Sequence, residues 1–294
     1  MDMSRVSVCS IALIHHPLEK AVEIIAAAGY KKVDLLEKYP HLSLFPDECD
    51  PAAVKATVEA HGLQIANLGT YVGGGQAGRG AQWLIHGFQD SSLGKFTSCG
   101  FSSDDPAELE TELDQVRRAI DLAVFFGARS MRYFTGNDDP STLDKMVPWF
   151  QQCAEYAAEK NMYMGLENHG DGIAGQPELC VELAEKVGSP YLGVLYEPHN
   201  LVAEGGVDYR SALEIMKDHI VHVHFKDGAP TDEGFGLTLM GEGEIDFPWI
   251  MEQLDAIGYD GDIALEYEVE TEPPETGIKQ FYEAFAAMIE WRNR

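Results

Sequence analysis

The chain has 294 residues, 45% of them hydrophobic and 24% charged, enough apolar material for a large core and unlike the composition of a disordered segment. Forty-nine acidic against 21 basic residues give a formal charge of −28, which argues against nucleic acid and anionic membranes as partners. Five cysteines, Cys9, Cys49, Cys99, Cys153 and Cys180, are scattered and form no C-x-x-C pair, so neither a disulfide framework nor a thiolate zinc site is indicated and a reducing cytoplasm is expected.

The first apolar run, VSVCSIALI, is too short to cross a bilayer and reads as a strand over Val6–Ile14. Pro17 opens a helix with Val22, Ile25 and Ala26 at helical spacing, Gly29 closes it, and VDLLE follows as a second strand ending on Glu37. Asp50 and Pro51 mark the start of a helix that ends near Gly62, before the strand LQIANLG. The stretch from Thr70 to Asp104 has no helix of its own, is rich in Gly and Ser, and holds Trp83, Phe88 and Phe96; a lid or a subunit contact is expected there.

A helix from Asp105–Pro106 to Gly127 carries Leu109, Leu113, Val116 and Ile120 on one stripe and leads into SMRYF. Ser141–Lys160 reads as a helix before MYMGLE, and helices near Pro177–Val187 and Asp208–Lys217 separate the strands YLGVLY and HIVHVH. Lys226 to Ile245 is a second glycine-rich break, Asp246–Ile257 a helix, DIALE the last strand, and Phe281, Phe285 and Met288 stripe the final helix. Eight strand–helix units predict a parallel (β/α)8 barrel, one domain over 1–294 with no linker, with an open doubly wound sheet as the alternative. No G-x-G-x-x-G follows the first strand, and GGGQAGRG after the third opens no periodic helix, so a dinucleotide site is not supported.

Four strands end on a possible metal ligand: Glu167, Glu197, His224 and Glu266, spaced 30, 27 and 42 residues apart. In a barrel these ends meet at one rim, and burying three carboxylates there requires protons or a cation. One nitrogen and three oxygens without thiolate suit Mn²⁺, with Mg²⁺, Co²⁺ or Zn²⁺ able to substitute. His222 shares a face with His224 one layer deeper, where a core histidine is expected rather than a ligand.

GLENHG, LYEPHN, HVHFKDG and DIALEYE resemble the motifs of the xylose-isomerase-like sugar phosphate isomerase/epimerase superfamily, a TIM barrel family, over most of the chain. The resemblance implies the same four ligands, and substrate contacts from His169 and Lys226. Three departures stand out. Glu197 replaces the more usual Asp, Asn200 occupies the place of the substrate-binding histidine of ketose 3-epimerases, and no arginine follows in KDGAPTDEG. Arg132, at the fourth strand end, is a further candidate for substrate binding.

The expected chemistry is metal-dependent sugar isomerisation or epimerisation, with Glu167 and Glu266 moving a proton beside a carbonyl through an enediolate. The same intermediate can expel a leaving group, as in the superfamily's keto-inositol dehydratases and 3-oxo-C-glycoside deglycosidases. A non-catalytic sugar-binding barrel is the other alternative. The partner expected is a small carbohydrate, with a homo-oligomer or hetero-complex open; Thr70 and Tyr71 in place of histidine, and the acidic charge, argue against a DNA-cleaving relative with three zinc ions.

Overall fold

The computed structural model describes all residues except 46, 74–83, 86–87, 90–99, 136–138, 171 and 271, and gives backbone alone for 84–85 and 88–89. The barrel strands are β1 (Val6–Cys9), β2 (Lys32–Leu36), β3 (Gln64–Gly69), β4 (Ser130–Tyr133), β5 (Tyr163–Glu167), β6 (Leu192–Tyr196), β7 (Ile220–Phe225) and β8 (Ile263–Leu265). They run parallel and close on themselves, β1 pairing β8 with Val6 opposite Ile263 and β2 with Ser7 opposite Lys32.

The helices are α1 (Leu18–Ala28), α2 (Pro51–Ala60), α3 (Pro106–Phe126), α4 (Leu143–Lys160), α5 (Pro177–Val187), α6 (Pro198–Gly205), α7 (Tyr209–Met216), α8 (Phe247–Ala256) and α9 (Pro274–Arg292). Their starts are written in the sequence. Asp50 and Asp105 each accept from the amide two residues on at 2.9 Å, with a proline in the first turn, which satisfies a donor the helix itself cannot reach. Leu109, Leu113, Val116 and Ile120 are buried as the stripe on α3 requires, and on α9 Phe285 packs with Phe225 and Phe247 while Phe281 packs with Tyr267.

The first strand is shorter than its apolar run predicts. Ser10 turns its hydroxyl inward to accept from the Leu36 amide at 2.9 Å, and Ser10–Leu13 wind into a 3-10 turn over the mouth. The second break, expected to be irregular, folds into a β-hairpin of Asp227–Thr231 and Gly234–Thr238, and α6 adds a helix where none is predicted. Of the expected lid or interface segment 70–104, most lies outside the described residues; two short strands, Leu84–Ile85 and Phe88–Gln89, pair antiparallel there.

At the N-terminal end of the barrel, Lys32 bonds Asp262 at 2.5 Å, Arg129 bonds Asp260, and Arg5 donates to the carbonyls of Tyr259 and Gly261. A cavity of about 540 Å³ opens among Arg5, Lys32, Lys55 and Arg129, with Glu59, Asp260 and Asp262 beside them. Among the described residues, no helix is long and apolar enough to cross a membrane.

Candidate metal and carbohydrate site

The opposite end of the barrel gathers the polar side chains. Glu167 ends β5, His224 lies near the end of β7, and Glu266 follows β8; all are buried, and one ligand atom from each falls within 4.8 Å of the others. His224 Nδ1 stands 3.3 Å from Glu167 Oε1 and 3.7 Å from Glu266 Oε1. It makes no well-directed hydrogen bond among the described residues, so a buried nitrogen faces two carboxylates.

What turns that nitrogen inward lies behind it. Asp34 of β2 collects three donors on one oxygen, Asn67 Nδ2 at 3.0 Å, His222 Nε2 at 3.1 Å and His224 Nε2 at 2.9 Å. Against burial, which pushes it up, His222 and His224 hold Asp34 well below the usual carboxylate range. With Nε2 turned to Asp34, Nδ1 is the nitrogen left to face the two carboxylates, and in the neutral ring it is the one that would offer a lone pair to a metal ion.

The other two walls carry cations. Arg132 of β4 donates from Nη1 to Glu167 Oε2 at 2.8 Å and from Nε to the Thr70 carbonyl at 3.1 Å, its guanidinium packed against the rings of Tyr71 and Phe134. Burial pushes Glu167 up, but Arg132 and then His224 bring it down to about 2. Lys226 bridges Glu266 Oε2 at 2.9 Å and Glu268 Oε2 at 2.7 Å. Against burial, it holds Glu266 well below the usual range, whereas burial leaves Glu268 raised.

Glu197 stands apart from this group. Its Oε1 accepts from the His199 amide at 3.0 Å and its Oε2 from the Asn200 amide at 2.6 Å, so the carboxylate caps α6 and is not among the three whose ligand atoms converge. Burial, opposed by Lys226, pushes it up to about 8. Asn200 is buried beside it, its side chain donating to the Asn168 carbonyl at 3.3 Å. His169 lies half exposed with Nδ1 3.2 Å from Glu204 of α6, away from the buried cluster.

Four further residues of the mouth escaped the sequence reading. Asp34 could have been found, since it interrupts the apolar residues of VDLLE ahead of the terminal Glu37. Glu268 follows Glu266 by two residues and so shares its face. Glu37, which ends VDLLE, is buried, and its Oε2 has no hydrogen-bond partner among the described residues. His199, held at the start of α6, is buried with neither ring nitrogen hydrogen-bonded among the described residues; burial, and after it Lys226, push its pKa down to about 4. Nothing in LYEPHN distinguishes it from a surface helix residue.

The donor set fits a divalent cation: two ionised carboxylates and one oriented imidazole nitrogen, with neither sulfur nor a bond already made by that nitrogen. Glu167, His224 and Glu266 would hold it. The neutralising cations and the polar atoms around them suit a hydroxylated, water-like ligand rather than an apolar one.

The chain is 29% identical to an inosose dehydratase of Lactiplantibacillus plantarum over 179 residues, 55% of this chain and 57% of that protein, so the match spans about half of the relative's length. It is 26% identical to the rhizopine catabolism protein MocC of Rhizobium meliloti over 301 residues, 92% of this chain and 82% of that protein. The structure of an L-ribulose 3-epimerase superposes with a TM-score of 0.74 at 17% identity, over 100% of this chain and 96% of that one, a likeness of fold. Residues 22–288 match the model of the xylose isomerase-like TIM barrel family, and the chain belongs to that family.

Proposed function

We propose that the chain is a divalent-metal-dependent enzyme that removes a proton from the carbon beside the carbonyl of a polyhydroxylated substrate. The convergence of Glu167, His224 and Glu266 on one buried point carries this reading. An ion bound there, Mn²⁺ in preference to Mg²⁺, Co²⁺ or Zn²⁺, would supply the Lewis acidity that weakens the C–H bond next to a carbonyl. Glu167 and Glu266 are the carboxylates placed to take a proton and to return one. Arg132 fixes the first and Lys226 the second, each by a direct ion pair. Return of the proton to the neighbouring carbon gives isomerisation, and return to the opposite face gives epimerisation.

A second reading is elimination of water from the same enediolate. One observation favours it: Lys226 sits between Glu266 and Glu268, so a second carboxyl group, its pKa raised by burial, stands beside the reacting pair where a departing hydroxyl would need an acid. The similarity to inosose dehydratases points the same way.

Both readings begin with the same proton, so one experiment tests them. The protein is stripped with chelator, reloaded with Mn²⁺, and incubated in deuterated water with inosose, D-tagatose or L-ribulose. Deuterium should enter the carbon beside the carbonyl only in the reloaded protein, with retention of all hydroxyls marking isomerisation and loss of water marking the lyase. Glu266→Gln should lower turnover by about 10²–10⁴-fold. Unchanged turnover at full metal content would remove Glu266 from proton transfer.

A further inference from the structure

His199 is held more firmly than any bond of its own explains. The two carboxylate oxygens of Glu197 accept from its amide and that of Asn200, at 3.0 and 2.6 Å, which fixes the first turn of α6. Asn168 locks the same turn to β5 from the other side, donating to the Glu197 carbonyl at 2.6 Å and accepting from the Glu197 amide at 2.8 Å. Asn200 spends its own side chain on the Asn168 carbonyl. Every polar neighbour of His199 in this turn is therefore engaged in holding backbone.

The imidazole is not. It is 6% exposed, and neither Nδ1 nor Nε2 has a hydrogen-bond partner among the described residues. Its ring lies against Phe235 of the hairpin, centroids 5.5 Å apart, and it is close enough to Lys226 and Glu266 to feel both charges. A Cβ on Gly228 would fall 2.6 Å from His199 Cδ2, so only a bare backbone lets the hairpin cover the ring. Leaving a buried polar group unmatched costs about 1–3 kcal/mol. Such a cost, met on a rigid scaffold beside the reacting carboxylates, is the mark of a group reserved for a ligand.

We propose that His199 is a substrate-contacting residue, its imidazole binding a hydroxyl of the polyhydroxylated ligand and setting how that ligand lies against Glu266 and Lys226. A neutral imidazole offers one donor and one acceptor, the same pair that a sugar hydroxyl offers in return. In this chain the residue after the sixth strand that reads the substrate is then His199, while Asn200 serves the backbone. This role presupposes the carbohydrate chemistry proposed above.

The test is calorimetric titration of inosose into the Mn²⁺-loaded protein, alongside steady-state kinetics. His199→Phe keeps a ring against Phe235 and removes both unmatched nitrogens; affinity should fall tenfold or more and KM should rise more than kcat falls, with Mn²⁺ content unchanged and the melting temperature equal or higher. His199→Gln restores a donor and an acceptor and should recover most of the affinity. Equal affinity for the wild type and the Phe variant overturns the proposal, as does a Gln variant no better than Phe. Inosose binding that depends on His199 without any deuterium exchange would support the contact and overturn the enzymatic reading, so the two failures are distinguishable.

Discussion

Glu37 shows what a single buried acid does to this molecule. Its Oε1 accepts the Leu44 amide at 3.2 Å, its Oε2 has no partner among the described residues, and burial lifts its pKa to about 8 against the pull of nearby amides and cations. Between the ordinary value of 4.5 and about 8, the folded chain holds a proton that the unfolded chain has released. The stability from this group is complete below the ordinary value and is lost as pH rises through about 8, by up to about 1.4 kcal/mol per pH unit. In Glu37→Gln that slope should vanish, so urea midpoints at pH 5 and pH 8 should lie closer together than in the wild type; an unchanged difference would show that Glu37 does not hold the proton. At this scale the sequence revealed the residues that announce themselves by position. Glu167, His224 and Glu266 end apolar runs, and alternation then aims them at one rim. Asp34 and His199 act through partners 190 residues away or through a missing bond, neither of which a linear pattern records.

The β-hairpin after β7 is tied down beside the site. The Asp227 carboxylate accepts from the amides of Gly228, Gly241, Gly243 and Ile245 at 2.8 to 3.4 Å, drawing the whole crossover into a fixed roof. Gly228 lies where that roof meets α6, and an added Cβ would come within 2.6 Å of both His199 and Phe235 and 2.7 Å of the Gly236 carbonyl. Gly228→Ala should therefore lift the hairpin, destabilising the fold by about 1–3 kcal/mol and weakening inosose binding together with stability. A variant with wild-type melting temperature and affinity would mean the hairpin yields freely. The hairpin was hidden in the sequence because its turn at Asp232–Glu233 lacks the Asn-Gly or Asp-Gly signature, and α6 because eight residues beginning Pro-His-Asn carry too little periodicity. The strands and the longer helices were legible from their apolar patterns, helped by aspartate caps on α2, α3, α7 and α8 and by glycines after α1, α3 and α5. Gly29 and Gly127 close α1 and α3 with φ of 110° and 78°, where the sequence places their ends.

On the scale of the whole molecule, the alternation of strands and helices forces closure, because each parallel strand needs its crossover outside and the eighth then meets the first. The arrangement also sorts charge along the barrel axis. Arg5, Lys32, Lys55 and Arg129 line the cavity at the N-terminal end, outnumbering Glu59, Asp260 and Asp262. At the other end Asp34, Glu167, Glu266 and Glu268 lie beside Arg132 and Lys226, while burial lets Glu37 and Glu197 keep their protons up to about pH 8. The cylinder is a needle with two unlike ends, set in a molecule of formal charge −28. Small cations drifting nearby are drawn toward it and phosphorylated compounds turned aside, before any ligand is touched. Capture of Mn²⁺ should accordingly slow several-fold between about 0.05 and 0.5 M salt, as stopped-flow mixing with the stripped protein would record; an ion that arrives at one rate in both buffers would show that the needle exerts no reach.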